Sequence, residues 1–212
     1  MRITVFGASG GIGGEIVRQG LAAGHEVTAV VRDPARLTAA GDRLEVVRSD
    51  LTDARELRGA VAGRDAVLSG LGARGNADAR AGIATRLTVP VLRAMEAVGV
   101  RRLLLVSAAP LGRAAERDPL LDRATMAVVS RVFKAVYADL RAMEGELARS
   151  ATDWTSVRPP RLLDQPLTGT YRTAVGHNPR SARQIGRADV AHAMLTMIDD
   201  PATVKQGVGV AY

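Results

Sequence analysis

The residues with the plainest chemical meaning are Gly7, Gly10 and Gly13, in the run Phe6-Gly7-Ala8-Ser9-Gly10-Gly11-Ile12-Gly13. Gly7 permits a tight turn, Gly10 lets backbone approach a ligand, and Gly13 allows a helix to lie close against a strand. Free N–H groups at the start of that helix, together with its dipole, stabilise an anion. Glycines also make plain turns, so the triplet alone says little. Its position says more. The loop follows an apolar strand, Arg2 to Phe6, and opens a helix from Gly11 to Ala23 with Ile12, Ile16, Val17 and Leu21 on one face. A loop so placed is expected to hold the pyrophosphate of a dinucleotide.

The next strand ends Val30-Val31-Arg32-Asp33-Pro34-Ala35-Arg36. An acidic residue there holds ribose hydroxyls, whereas arginine accommodates a 2′-phosphate. Arg32 at the tip and Arg36 one turn beyond can close on one phosphate, which favours NADPH/NADP; Asp33 leaves the ribose alternative open. Asp50-Leu51 can flank an adenine, although Asp50 serves equally as a helix cap. Leu71-Gly72-Ala73-Arg74 places small residues where backbone must pass the ribose and nicotinamide.

Residues able to act on a substrate are fewer. Ser107, at the end of the run Leu103-Leu104-Leu105-Val106, can donate to a carbonyl or flavin ring atom as negative charge develops, or can simply cap its own strand. Tyr137, with Arg141 four residues on, imitates a Tyr-x-x-x-Lys pair, and packing of the ring is the competing reading. His25, His177 and His192 have no metal-ligand spacing, and only His177 falls in a loop able to reach a substrate. Carboxylates are dispersed, and no pair of them suggests glycosidic or hydrolytic work.

These residues need a frame that brings strand ends together. Short β-rich runs alternate with helical patterns throughout: strands at 2–6, 26–31, 44–47, 65–68, 102–107 and 154–157, with helices at 53–61, 83–98, 120–150 and 188–198. Such alternation predicts an α/β fold, a single Rossmann-type doubly wound parallel sheet with helices on both faces. Right-handed crossovers put every strand-to-helix loop on one edge. The whole of 1–212 reads as one NAD(P)-binding domain, with substrate loops mainly at 72–82, 108–119 and 159–184, and a short last strand near Val208.

Composition narrows the class. The net charge is +7, but the 29 basic residues, two of them lysine, are scattered among acids and form no stripe, so nucleic acid is not the expected partner. No apolar stretch approaches the roughly 20 residues needed to span a bilayer. There are no cysteines, which removes disulfides and thiolate chemistry. Met1-Arg2-Ile3-Thr4 begins directly as a strand. The expectation is a cytoplasmic, metal-free protein, a monomer or weak homodimer.

With these residues in place, the chain resembles the atypical short-chain dehydrogenase/reductases of the NmrA-like class, and among them the biliverdin and flavin reductases. The resemblance rests on Phe6-Gly7-Ala8-Ser9-Gly10, Val30-Val31-Arg32-Asp33, the run from Val61 to Val67, and Pro159-Pro160 followed by Asp164-Gln165-Pro166-Leu167-Thr168-Gly169. It implies NADP contacts at Gly7, Ser9, Gly10, Gly11, Ile12, Arg32, Arg36, Asp50, Leu51, Leu71 and Gly72, and a functional serine at Ser107. It implies hydride transfer to flavins, tetrapyrroles or quinones. Arg161 stands where that class carries histidine after the two prolines, Ala109 replaces an aromatic residue, and Tyr137-Ala138-Asp139-Leu140-Arg141 replaces a helix with histidines. Arg161 at the mouth of the site would draw anionic acceptors. Two alternatives follow from the weak catalytic set: a non-enzymatic NADP(H)-binding redox sensor, and an epimerase or dehydratase that recycles its nicotinamide.

Overall fold

The computed structural model describes residues 1–73, 75–113, 131 and 133–212. Six strands follow the apolar runs: β1 (Arg2–Phe6), β2 (Glu26–Val31), β3 (Leu44–Arg48), β4 (Ala66–Ser69), β5 (Arg102–Val106) and β6 (Asp153–Arg158). They are joined by β8 (Arg172–Val175) and β10 (Gln206–Ala211) in a sheet of order β3-β2-β1-β4-β5-β6-β10-β8. Every neighbouring pair is parallel except β10 with β8. A separate parallel pair joins β7 (Arg161–Leu163) to β9 (Gln184–Gly186). Strand order reverses between β1 and β4, which opens a crevice at their C-terminal ends.

Successive side chains on a strand point to opposite faces, and two separate cores result. Ile3, Val5, Val27, Ala29 and Leu104 face α1 (Gly11–Ala22) and α6 (Arg187–Thr196), which contribute Ile16, Val17, Val190 and Met194. Phe6, Val30, Val67, Leu103 and Leu105 face the other way. There they meet α2 (Ala54–Val61), α4 (Ile83–Val98) and α5 (Lys134–Arg149) through Leu57, Val91, Met95, Leu140 and Met143. A short α3 (Asn76–Arg80) precedes α4. No helix among the described residues is long and apolar enough to cross a membrane.

The structure differs from the sequence reading in the last third. The stretch 159–184, expected to be irregular, holds β7 and β8 and leads into β9. The last strand is six residues long and lies inside the sheet between β6 and β8, because Gln206–Gly209 pair with Thr155–Arg158. Because β8 runs antiparallel to β10, the sheet is not wholly parallel. Of the helix expected over 120–150, Lys134–Arg149 is helical, and 120–130 lies outside the described residues. Asp53 caps α2, accepting from the Arg55 N–H at 2.8 Å.

The helix that carries Tyr137 is fixed by a cap made in trans. Gly82 precedes α4 and has no side chain to satisfy its first turn. Asp139 of α5, 6% exposed, supplies the acceptor: its carboxylate takes the Ala84 N–H at 2.8 Å, the Thr85 N–H at 3.1 Å and the Thr85 hydroxyl at 2.7 Å. Asp139→Ala leaves these donors buried without a partner, so the unfolding free energy should fall by about 2–3 kcal/mol. Urea denaturation measures this, and an unchanged midpoint at unchanged slope would show that α4 does not depend on the cap.

Candidate functional site

The crevice between the ends of β1 and β4 deepens into a cleft of about 790 Å³, within the range of small-molecule sites. Five strand ends supply its walls: Gly7 after β1, Arg32 after β2, Leu51 after β3, Leu71 and Gly72 after β4, and Ser107 after β5. Pro159 and Pro160 after β6, with Val136, Tyr137 and Leu140 of α5, close the far end.

At the near end, Ser9, Gly10, Gly11 and Ile12 line the cleft as expected. The first turn of α1 has no side-chain cap and no acidic residue, so its N–H groups and positive dipole end face an anion without competition. Gly13 does not line the cleft. A Cβ there would stand 2.1 Å from the Gly7 carbonyl oxygen, so its role is to let α1 meet the end of β1. This backbone cradle fits the diphosphate of a dinucleotide.

The adenosine side is less complete than the sequence implied. Arg32 lines the cleft and is exposed, with no partner among the described residues. Arg36 sits in the turn Pro34–Arg36, is exposed, and is not part of the lining. The Asp33 carboxylate is occupied in capping that turn, accepting from the Ala35 N–H at 3.1 Å, which weakens the ribose alternative. Asp50 also lies off the lining. Its carboxylate accepts from the Thr52 hydroxyl at 2.6 Å and N–H at 2.9 Å, and these bonds hold its carboxyl below the usual range. Leu51 does line the cleft, buried and held at φ 67. Ser49 joins it, its hydroxyl accepting from the Leu51 N–H at 3.1 Å. Arg74 lies outside the described residues.

At the far end stands Ser107, 7% exposed, whose Oγ has no hydrogen-bond partner among the described residues. Its N–H donates to the Val157 carbonyl at 2.7 Å, which locks the end of β5 to β6. Behind it lies a half-buried ion pair. The Glu144 carboxylate accepts from Arg158 Nη2 at 2.7 Å and Nε at 3.0 Å, and from the Ser156 hydroxyl at 2.6 Å. Burial pushes the Glu144 carboxyl up. The bonds from Arg158 and Ser156, the Arg158 charge and the nearby Ser107 hydroxyl outweigh burial and leave it below the usual range.

Tyr137 reaches the cleft, but the pairing with Arg141 does not form, since Arg141 is exposed. Burial raises the Tyr137 phenol above its ordinary value, and Phe133 packs edge-on at 6.4 Å between ring centroids. Arg161 is exposed on β7 and off the lining, so the sequence expectation of an arginine at the mouth is corrected. His177 is exposed and its Nδ1 pairs with the Asn178 carbonyl oxygen at 2.9 Å; His192 Nδ1 pairs with the Tyr171 hydroxyl at 2.7 Å. No group of three or more potential metal ligands gathers among the described residues.

Sequence reasoning missed Glu144, Arg158 and Arg187. Glu144 had a readable signal, because it follows Tyr137 by seven residues and so shares its helix face. Arg187 had none beyond opening a helix. The segment Asp164 to Gly169 proves to be a latch on α6. The buried Asp189 carboxylate accepts from the Gly169 N–H at 2.8 Å, the Thr168 hydroxyl at 3.0 Å and the Tyr212 hydroxyl at 2.5 Å.

Comparison with known proteins agrees with this geometry. A 113-residue stretch is 33% identical to cinnamoyl-CoA reductase 1 of Oryza sativa subsp. japonica, covering 50% of this chain and 33% of that enzyme. The match therefore spans about a third of the length of that relative. A short-chain dehydrogenase/reductase of Veillonella parvula, solved with NADP, has the same fold: TM-score 0.79, 20% identity, 100% of this chain and 94% of that one. So does a Streptococcus pneumoniae protein provisionally described as an NADH-flavin reductase: TM-score 0.77, 24% identity, 100% of this chain and 99% of that one. Residues 7–201 match the family described as NAD(P)H-binding, and with the glycine loop and cleft in place the chain belongs to that family.

Proposed function

We propose that the protein is an NADPH-dependent reductase of a flat, electron-poor small molecule, with flavins as the leading class and quinones and tetrapyrroles beside them. The observation that carries this reading is the Ser107 hydroxyl, buried and without a hydrogen-bond partner among the described residues, in the lining of an otherwise largely apolar end of the cleft. The bound dinucleotide supplies a hydride. Gly7, Gly10 and Gly11 would hold its diphosphate, Leu51 and Arg32 the adenosine half, and Leu71 and Gly72 the adjoining ribose.

Ser107 then has one task, donating to an acceptor oxygen or ring nitrogen as charge builds on it. Glu144 already receives Ser156 and Arg158 and has no formed hydrogen bond to Ser107, although that hydroxyl lies near enough to lower its carboxyl, so an acceptor in the cleft would compete with Glu144 for the serine proton. Tyr137 is a poor proton donor, because burial raises its phenol and no cation among the described residues offsets that. Flavins and quinones accept hydride without a strong acid from the protein, whereas carbonyl reduction requires one. The resemblance to provisional flavin reductase and NADP-bound relatives supports the same class. Apolar walls at Leu140, Pro159 and Leu162 suit a planar ring system.

Arg32 should make NADPH bind at least about tenfold tighter than NADH, and Arg32→Gln should remove that preference by weakening NADPH alone. Titration of both variants with both dinucleotides measures it; equal or tighter NADH binding by the wild type would overturn the NADPH assignment. In steady-state NADPH oxidation with flavins and quinones, Ser107→Ala should lower kcat about 10²-fold with the NADPH Kd unchanged. Tyr137→Phe should stay within about twofold. A dead Tyr137→Phe with an active Ser107→Ala would mean tyrosine-centred carbonyl reduction. Tight NADPH binding with no oxidation by any acceptor would favour the redox-sensor reading.

A further inference from the structure

Arg187 opens α6 and lies across the glycine loop. A Cβ built on Gly11 would stand 2.6 Å from Arg187 Cδ and 3.0 Å from its Nε, so the side chain runs directly over that residue. Among the described residues lining the cleft, the charged ones are Arg32, Asp78 and Arg187. Arg32 follows β2, so the cation beside Gly11 is Arg187. A diphosphate brings two negative charges to a loop that otherwise offers only N–H groups and half a dipole charge.

The guanidinium is at present committed elsewhere. Its Nη1 donates to Asp164 Oδ1 at 2.6 Å, and no other nitrogen of the group has a partner among the described residues. Asp164 follows β7 directly and Arg187 follows β9, so the β7–β9 pairing sets the two side chains facing each other. The pair is asymmetric: the carboxylate is 88% exposed and the guanidinium 30%. One monodentate contact to a solvated carboxylate is weakly held, whereas a phosphate engages the guanidinium fork through two parallel bonds.

We propose that Arg187 is the counter-charge for the dinucleotide diphosphate and that Asp164 competes for it, so that binding exchanges the Asp164 carboxylate for the phosphate oxygens. This rests on the reading that the cleft takes a dinucleotide. The two residues therefore act with opposite sign on the same affinity, Arg187 strengthening it and Asp164 weakening it. The contact is with the diphosphate, so it is blind to the 2′-phosphate and applies equally to NADPH and NADH.

The test uses the full chain and three probes: NADPH, NADH and 2′-AMP, which carries the 2′-phosphate but no diphosphate. Arg187→Gln should weaken NADPH and NADH by about tenfold or more and leave 2′-AMP unchanged. Asp164→Asn should tighten both dinucleotides by about two- to fivefold, and should have no effect once Arg187 is replaced. Arg187→Lys keeps the charge at the helix start and should lose only part of the affinity, so the test survives if the glutamine variant folds poorly. Unchanged dinucleotide affinity in Arg187→Gln, equal loss for 2′-AMP, or weaker binding in Asp164→Asn would each overturn the proposal. Dinucleotide binding by the wild type with an inert Arg187 would sink this inference alone; no binding by the wild type would sink the cofactor reading beneath it.

Discussion

A single steric constraint organises the site: at Gly13 the first helix touches the carbonyl of Gly7 with no room for a side chain. A Cβ at that point would overlap the oxygen at 2.1 Å, a distance no rotamer can relieve because both partners are backbone. Contact this close directs the start of α1 at the sheet's switch point, and through it the uncapped N–H groups of its first turn. Every other wall of the cleft is arranged relative to that fixed corner. The strand ends stand beside it because parallel pairing carries β4 and β5 outward from β1 in step.

The remaining walls are held by buried or half-buried carboxylates that do no chemistry themselves. Asp139 ties α5 to the start of α4, Glu144 ties α5 to the end of β6 through Arg158, and Asp189 ties the 168–169 turn to α6. Each carboxylate is met by several donors, which is the condition under which burying a charge is tolerable. Together they give Ser107 and Tyr137 a defined setting in a chain with very few aromatic residues to pack against.

The sheet and its helices were legible because their signals are local. Apolar runs such as Leu103 to Val106 and the Gly99 stop after α4 need no knowledge of the rest of the chain. Most of the glycine loop, together with Arg32, Leu51, Leu71, Gly72 and Ser107, was legible for a related reason: strand ends gather at one edge in any fold of this type. What escaped were partnerships across long separations. Arg141 could not be known to face solvent, nor could Asp50 be known to turn to Thr52. Arg36 and Arg161 looked placed for anions, yet a tight turn and a peripheral strand pair carry them off the lining. The strands between 159 and 184 were hidden because three- and four-residue segments rich in turn residues have no periodicity to read.

The placement of β10 has a consequence for the order in which the molecule can be made. Residues 206–211 fill a slot between two strands formed by earlier chain, β6 on one side and β8 on the other. Until they arrive, β6 presents a bare row of N–H and C=O groups at the boundary of a nearly finished sheet. Tyr212, next along the chain, then reaches the Gln184 carbonyl and the Asp189 carboxylate, fastening the strand as it docks. Before β10 docks, that bare edge of β6 is open to pairing with a strand of a neighbouring chain. Insertion of β10 into the sheet and closure of the polar latch on α6 are thereby coupled in one step.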